Sequence, residues 1–361
     1  MDHSITVLAA AYNGREYIEE QMDSILAQSQ GGILLVVSDD CSTDGTSALL
    51  DRYGMEHQGQ VLILHRCQGS GGAAAHFLGI LRLMADLAAG RGQASWEGTY
   101  ELSPEAERQL ERAAQADYFM LSDQDDVWLP EKAQMLLVRM TELERCKDVN
   151  GQRQSVLPGS PVLSDRAIPP VLVHSDLKVV DGNLTEISPS FFKYQKISPE
   201  RTRLSQLLVQ NNVTGGAVMI NRSMLPYLEQ QPDICLMHDA WLALIASCFG
   251  RIGWVDRPLY LYRQHRDNTL GAEKGDNLED AKKRLQDGSD ARRNYRLMFG
   301  QAKSMLRLFD SELDEEQKDT LAAFAGLPGK SRLGKIILIL RYGFTKNTAL
   351  RTLGQMLFIG D

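Results

Sequence analysis

Residues 118–130 of the chain read YFMLSDQDDVWLP, an apolar run that is followed at once by three carboxylates within four residues. The apolar run has the character of a buried strand. Charged groups crowded at the end of such a strand are costly unless they bind something, and a hard divalent cation would bind them. Mg²⁺ or Mn²⁺ held by one or two carboxylates usually completes its shell with water and substrate phosphate oxygens. The stretch therefore indicates an enzyme that handles a diphosphate, and a solvated acidic turn before a helix is the alternative.

Segments with strand and helix character alternate on the N-terminal side of this stretch. Short apolar runs predict strands over residues 5–10, 33–37 and 61–65. A helix is predicted after each of them, the third over residues 73–89. This alternation predicts an α/β fold with a mixed, mainly parallel sheet and helices on both faces.

Polar residues follow several of the predicted strands at the point where each strand ends. Tyr12 follows the first strand, Asp39 and Asp40 follow the second, and Asp123 and Asp125 follow the fourth. Ligands of parallel sheets bind beyond the carboxyl ends of the strands, so one pocket is expected to collect these side chains. In such a pocket Asp40 could accept hydrogen bonds from a nucleobase or a ribose hydroxyl, and Tyr12 could stack on a base.

The bulk composition limits the class of protein. The chain has 361 residues, 43% of them hydrophobic, and a net charge of −8, which argues against a nucleic-acid partner. Its five cysteines include no Cys-x-x-Cys pair, which argues against a zinc site or a disulfide framework and fits a reducing compartment. No apolar run reaches the roughly 18 residues that span a bilayer. The first strand begins almost at once, without a signal peptide, so we expect a cytoplasmic protein.

Three segments in the second half carry polar residues of functional type. Asn212 and Gly215 belong to a glycine turn that feeds a strand, and this turn could line an acceptor pocket or be a plain tight turn. Asp239 precedes an apolar helix, either as the helix N-cap or as a general base. After a later apolar strand, Arg263 could neutralise a phosphate and His265 could complete the shell of a metal.

Five motifs, in this order, resemble those of the inverting family-2 glycosyltransferases, which have the GT-A nucleotide-sugar fold. The resemblance covers roughly residues 4–270 and rests on AAAYN at 9–13, DDCSTDG at 39–45, DQDD at 123–126, HD at 238–239 and RQH at 263–265. Within the family, SDQDDVW at 122–128, VHSDL at 173–177 and YRQH at 262–265 are most similar to bacterial rhamnosyltransferases of cell-wall or surface polysaccharide synthesis. Cys41 stands where the family usually has Gly, and His238 stands where many members have an acidic residue.

The resemblance implies how a nucleotide-sugar donor would be held. The pyrimidine base would contact the backbone of Ala10 and the side chains of Tyr12 and Asp40. Asp123 would reach the ribose or the water molecules on the metal. Asp125 would bind the metal itself, Mg²⁺ or Mn²⁺.

The resemblance also implies residues for the reaction and the acceptor. Asp239 would be the catalytic base, and His265 would assist the metal or contact the diphosphate. Arg263 is assigned to the donor phosphates. The residues expected to meet the acceptor are Asn212, Gly215 and Trp241.

The implied reaction is a single displacement with inversion at the anomeric carbon, in the synthesis of bacterial cell-surface polysaccharide. The first expected donor is dTDP-rhamnose, with UDP- and GDP-sugars left open, and the acceptor is a glycan or a polyprenyl-linked glycan. A non-catalytic nucleotide-sugar binding protein is the alternative of another class, and the presence of Asp125 and Asp239 weighs against it. A nucleotidyltransferase usually carries a glycine-rich, basic loop after its first strand, and residues 11–15 supply little of that.

The predicted organisation has two parts. We expect residues 1–270 to form the GT-A catalytic domain and residues 271–361 to form a C-terminal helical region. Residues 90–116 are predicted as an insertion that ends in a charged helix, and residues 150–170 as an exposed loop. Residues 330–351 contain six basic residues and no acidic one, interleaved with apolar residues. They could contact the inner face of the cell membrane or pack on the catalytic domain.

Overall fold

The computed structural model describes residues 3–146, 162–163, 166–265 and 289–359. The strands are β1 (Ile5–Ala11), β2 (Ile33–Asp39), β3 (Val61–His65), β4 (Tyr118–Ser122), β5 (Val127–Trp128), β6 (Val162–Leu163), β7 (Arg166–Ala167), β8 (Val171–Asp181), β9 (Glu186–Ser188), β10 (Met219–Asn221) and β11 (Arg251–Gln264). The helices are α1 (Ile18–Leu26), α2 (Thr46–Glu56), α3 (Ala73–Ala88), α4 (Pro104–Ala114), α5 (Lys132–Arg145), α6 (Phe191–Gln195), α7 (Leu204–Leu207), α8 (His238–Phe249), α9 (Ser289–Leu308), α10 (Glu315–Ala325), α11 (Arg332–Tyr342) and α12 (Ala349–Phe358).

Nine of the strands in the described residues form a single sheet. Their order is β3-β2-β1-β4-β10-β8-β11-β5, and β9 pairs with β8. β1 is parallel to β2 and β4, β2 is parallel to β3, and β8 is parallel to β11. The short β10 joins the two parallel groups by antiparallel pairing with β4 and β8. The predicted mixed, mainly parallel sheet is therefore confirmed.

Helices cover both faces of this sheet because successive side chains of a strand point to opposite faces. Leu8 of β1 lies in a hydrophobic cluster with residues of α3, α4 and α8. Its neighbours Val7 and Ala9 lie in a second cluster with residues of α1, α2 and α5. The strand is buried on both faces, which explains its uninterrupted apolar sequence.

The predicted elements of the first half are present, with small differences at their ends. The strand predicted over 33–37 continues to Asp39, so this acid belongs to the strand itself. The helix predicted over 73–89 is α3, which ends at Ala88. The charged helix predicted within 90–116 is α4, where Ser103 caps the helix by accepting a hydrogen bond from the Ala106 N–H and Pro104 opens the first turn.

The C-terminal helices share a hydrophobic core with the sheet. Phe299 of α9, Phe324 of α10 and Phe344 after α11 belong to the same buried cluster as Phe119 of β4. The rings of Phe324 and Phe344 meet edge to face, with their centroids 5.1 Å apart. The C-terminal region therefore packs on the sheet.

The predicted domain boundary between residues 270 and 271 lies outside the described residues, as does most of the loop predicted over 150–170. The division into two domains stays a prediction. No helix in the described part of the chain is long and apolar enough to cross a membrane.

Candidate active site

The carboxyl ends of β1, β2 and β4 meet at one edge of the sheet. Ala11 pairs with Asp39, and Ala9 pairs with Ser122. The segments beyond these strands are then joined by hydrogen bonds. The backbone N–H of Tyr12 donates to Gln124 Oε1 over 2.7 Å, and Gln124 Nε2 donates to the carbonyl oxygen of Tyr12 over 2.9 Å. The predicted convergence of the first, second and fourth strand ends is confirmed.

The residues predicted to hold the nucleotide base lie along this edge. Ala10 is half-buried near the end of β1, and the side chain of Tyr12 is 58% exposed. The carboxylate of Asp40 accepts hydrogen bonds from the N–H and the hydroxyl of Ser70, at 2.7 and 2.6 Å, and lies 3.1 Å from Nε of Arg66. Asp40 therefore fixes the glycine-rich loop before α3, a contact that the sequence did not indicate.

Cys41 follows Asp40 in a backbone conformation that suits glycine. Its φ angle is +64°, in the left-handed region, which costs an ordinary residue roughly 1–2 kcal/mol. The thiol is exposed and donates to the carbonyl oxygen of Arg66 over 3.3 Å. Glycine, which the resembled family usually has at this position, would adopt this φ angle without strain.

The predicted metal ligands lie next to each other. Nε2 of His265 is 2.7 Å from Oδ2 of Asp125. The guanidinium of Arg263 donates to the carbonyl oxygen of Asp125 over 2.7 Å, to the carbonyl oxygen of Gly182 over 2.7 Å and to the carboxylate of Glu20 over 2.5 Å. Arg263 is buried and bound to protein groups, so its contacts fix the acidic segment; contact with donor phosphates stays a prediction.

These residues fit a cation that is shared with a substrate. Within the described ranges no group of three or more His, Cys, Asp or Glu side chains is arranged to hold a metal ion. Asp125 and His265 supply two donors, an oxygen and a nitrogen. A divalent cation held by so few protein ligands takes its remaining ligands from substrate phosphates and water.

Burial changes the protonation of the other acids in this segment. Burial and the charge of Asp125 raise the pKa of Asp123 to about 7. The pKa of Asp126 is raised well above its usual range, again by burial first and then by the neighbouring carboxylates. Asp126 accepts a hydrogen bond from the backbone N–H of Arg263, which ties the end of β11 to the acidic segment.

The predicted base lies in the first turn of α8. Met237 is the N-cap residue, so the alternative of Asp239 as N-cap is wrong. The carboxylate of Asp239 accepts hydrogen bonds from the N–H of Gly215 and from Nδ2 of Asn211, both at 3.1 Å, and from the Ala240 N–H at 2.6 Å. Burial raises the pKa of Asp239 to about 7.

The pair Gly215–Gly216 brings Asp239 and the acidic segment together. A Cβ on Gly216 would lie 3.3 Å from an Oδ2 atom of Asp123 and 3.3 Å from that of Asp126. A Cβ on Gly215 would lie 2.4 Å from Nε2 of His238. His238 is buried against Phe77, with ring centroids 4.1 Å apart, and burial lowers its pKa to about 3. The close approach therefore requires glycine, and His238 is a neutral packing residue.

The residues predicted for the acceptor lie at different depths. Gly215 contacts Asp239 directly. Asn212 is buried and donates to the carbonyl oxygens of Ser198 and Arg201, at 2.9 and 3.2 Å. Trp241 is fully buried in the core, so its indole has no surface to offer to an acceptor in this conformation. The neighbouring amide of Asn211 donates to the carboxylate of Asp239.

Sequence reasoning also missed Lys132, the first residue of α5. Its side chain is fully buried, and Nζ donates to the carbonyl oxygen of Gly216 over 2.5 Å. The ammonium lies over the rings of Trp128 and Tyr260, 3.4 and 4.5 Å from their centroids. Burial lowers the pKa of Lys132 well below its usual range, against the attraction of Asp126 and Asp123. Lys132 thus fixes the position of the Gly215–Gly216 pair through its hydrogen bond to Gly216.

Comparisons with known proteins agree with this architecture. Residues 6–87 match the model of glycosyl transferase family 2. The chain is 26% identical over 264 residues to the dTDP-rhamnosyl transferase RfbG of Shigella flexneri, covering 73% of each protein. It is 26% identical over 172 residues, 48% of this chain and 56% of the relative, to TuaG of Bacillus subtilis (strain 168), a glycosyltransferase named provisionally for teichuronic acid biosynthesis.

A solved structure has the same fold. The structure of S. aureus TarS 1-349 in complex with UDP-GlcNAc superimposes with a TM-score of 0.50 at 15% identity, covering 94% of this chain and 80% of that one. The sheet, the site at its edge and these likenesses define an enzyme of the glycosyltransferase class with the GT-A fold. Residues 6–87 of the chain are similar to glycosyltransferase family 2.

Replacing Cys41 by Gly is expected to raise the free energy of unfolding by up to about 1 kcal/mol, because relief of the left-handed strain exceeds the added backbone entropy of the unfolded chain. Urea unfolding would measure the change. Cys67→Gly is the matched control: Cys67 is also exposed but has no positive φ, so this change should lower stability. Equal losses in both variants would contradict the assignment of strain to Cys41.

Replacing Lys132 by Met is expected to lower the free energy of unfolding by about 1–3 kcal/mol, because the buried carbonyl oxygen of Gly216 loses its hydrogen-bond donor and Asp126 loses the attraction of Lys132. Adding Asp126→Asn should recover part of this loss, with a coupling of about 1 kcal/mol or more in a double-mutant cycle measured by urea unfolding. Asp117→Asn, at the exposed start of β4, is the control and should simply add to Lys132→Met. Additive losses for Lys132 and Asp126 would disprove the electrostatic link.

Proposed function

We propose that the protein transfers a sugar from a nucleotide donor to a glycan or lipid-linked glycan acceptor in bacterial cell-surface polysaccharide synthesis, with inversion at the anomeric carbon. The observation that carries the proposal is the meeting of Asp239 and the acidic segment 123–126 across the Gly215–Gly216 pair. L-rhamnose from dTDP-rhamnose is the first candidate, supported by the likeness to RfbG. A UDP- or GDP-sugar is the alternative donor.

Asp239 is proposed as the general base. Its carboxylate takes the proton from an acceptor hydroxyl, and the oxygen attacks the anomeric carbon on the face opposite the departing nucleotide. The N–H of Gly215 and the amide of Asn211 hold the carboxylate in one orientation. A pKa of about 7, raised by burial, gives Asp239 the basicity to accept a proton near neutral pH while a large fraction is charged.

The donor is proposed to lie along the edge formed by β1, β2 and β4. Its base meets the backbone of Ala10, the exposed ring of Tyr12 and the carboxylate of Asp40. Asp123 is assigned to the ribose or to metal-bound water. This placement leaves the sugar between the acidic segment and Asp239.

Asp125 and His265 are proposed to hold a divalent cation together with the donor diphosphate. When bound, such a cation supplies Lewis-acid stabilisation of the charge on a departing diphosphate. Arg263 is proposed to position Asp125 and His265, since it binds the carbonyl oxygen of Asp125 and lies two residues before His265.

The acceptor is proposed to approach Gly215 next to Asp239. Asn212 shapes this approach through its bonds to the carbonyl oxygens of Ser198 and Arg201. Trp241 supports the first turn of α8 from the core.

Asp239→Asn is expected to lower kcat by on the order of 10²–10⁴-fold, because the base is lost. In the unsubstituted enzyme kcat/KM should rise with pH through about 7, since only the carboxylate accepts a proton. The folded-state pKa is raised, so protonated Asp239 favours folding and this contribution is lost as the pH rises through about 7. The stability of Asp239→Asn relative to the unsubstituted enzyme should therefore increase over that range.

Donor turnover and urea unfolding across this pH range would test the assignment of the base. Asp233→Asn is the matched control, because Asp233 is an exposed carboxylate six residues earlier in the chain. An Asp239→Asn enzyme with undiminished turnover would disprove the assignment. If the unsubstituted protein binds a donor without turnover with any acceptor tested, the chain is a nucleotide-sugar binding protein instead.

Asp125→Ala is expected to abolish metal-dependent binding of the donor. Thermal shift with dTDP-rhamnose, UDP- and GDP-sugars, in Mn²⁺, Mg²⁺ or EDTA, should show stabilisation by one donor that EDTA removes. His265→Ala should weaken the same shift, whereas Asp256→Ala, which removes an exposed carboxylate of β11, should leave it unchanged. A shift that is indifferent to EDTA and to Asp125 would refute the cation site.

A further inference from the structure

Helix α11 has apolar residues on two opposite sides. Ile339 is fully buried in the core that the C-terminal helices share with the sheet, and Leu338 and Tyr342 pack against that core. On the other side, Leu333, Ile337 and Leu340 are 68%, 54% and 64% exposed. A helix that is already anchored in the core has no folding reason to carry a second apolar stripe in water.

The following helix also exposes large apolar side chains. Leu350 and Leu353 of α12 are 52% and 61% exposed, three residues apart on one side of the helix. Ten large apolar side chains are exposed in the described ranges, and five of them fall between residues 333 and 353. Such clustering marks an interaction surface, whereas single exposed apolar residues are ordinary.

The residues around this surface are basic, which favours an anionic partner. Residues 320–360 contain six basic residues and no acidic one, in a chain whose net charge is −8. Lys330, Arg332 and Arg341 are exposed at the two ends of α11. A second copy of the chain would bring like charges together at this surface. An anionic phospholipid surface meets both requirements, since it accepts apolar side chains and attracts basic ones.

The surface is connected to the proposed acceptor side of the active site. In the loop between α11 and α12, the backbone N–H of Asn347 donates to Gln210 Oε1 over 2.9 Å, and its side-chain oxygen accepts from the N–H of Ser198 over 2.8 Å. The next residue after Gln210 is Asn211, whose amide binds Asp239. The helices that carry the apolar surface are therefore bonded to the segment that orients the base.

We propose that the exposed faces of α11 and α12 dock the enzyme on an anionic phospholipid membrane. The apolar side chains enter the interface between head groups and acyl chains, and the flanking basic residues contact the lipid phosphates. Docking there holds the two helices, and the loop that is bonded to Ser198 and Gln210, at the membrane. That a lipid-linked acceptor is then delivered to Asp239 rests on the function proposed above, whereas the docking itself does not.

Co-sedimentation of the full chain with vesicles tests the docking without donor or acceptor. We expect binding to vesicles of phosphatidylcholine mixed with phosphatidylglycerol, and binding to phosphatidylcholine alone that is at least about tenfold weaker. The triple substitution Leu333→Gln, Ile337→Gln and Leu340→Gln should abolish binding, because Gln keeps helix propensity but removes the apolar stripe. Arg332→Glu with Arg341→Glu should weaken binding on the order of tenfold, in a way that added salt reproduces for the unsubstituted protein.

The matched control replaces three exposed apolar residues elsewhere, Met55, Val138 and Ile187, by Gln, and should bind as the unsubstituted protein does. Circular dichroism and thermal unfolding of each variant show that the fold is kept. No binding of the unsubstituted protein to either vesicle overturns the proposal, and so does equal loss in the control. A dimer in solution that the α11 substitutions convert to a monomer, without vesicle binding, assigns the surface to a second copy and also overturns it. Donor turnover with a soluble acceptor would distinguish any such result from failure of the transferase assignment.

Discussion

The burial of carboxylates at one edge of the sheet is the constraint on which this site depends. Asp123, Asp126 and Asp239 are all partly or fully buried, and burial raises the pKa of each. The chain holds them together mainly through neighbouring backbone atoms: Lys132 binds the carbonyl oxygen of Gly216, and Arg263 binds that of Asp125. Both side chains thus fix backbone atoms that lie beside the carboxylates.

The same constraint explains the glycine pair. A side chain at Gly216 would occupy the space between two carboxylate oxygens, and one at Gly215 would collide with His238. Without a Cβ at these positions, Asp239 and the acidic segment approach each other while the N–H of Gly215 still reaches the Asp239 carboxylate. The buried, neutral ring of His238 supports this turn by packing.

Much of this arrangement could be predicted because parallel strands bring their carboxyl ends to one edge, so acids that are far apart in sequence become neighbours. The contacts that position these acids could not be predicted from the sequence. Lys132 reaches Gly216 across 84 residues, and Asn211 reaches Asp239 from a loop whose path no local pattern sets. The resemblance implies that Trp241, two residues after Asp239, meets the acceptor. In α8 nearly every residue around Trp241 is buried, and a rotation of about 200° from Asp239 carries its indole into the core.

The C-terminal region shows why two interpretations of one sequence pattern can both hold. Successive residues of a helix are rotated by about 100°, so Leu333, Ile337 and Leu340 fall within about 60° of one another. Lys335, Ile339 and Tyr342 are centred about 200° away, on the opposite side. Sequence alone offered packing on the sheet or contact with a membrane as alternatives, since a basic, apolar segment fits either. The helix has enough circumference for both: its inner stripe is buried in the shared core, and its outer stripe stays exposed between basic residues.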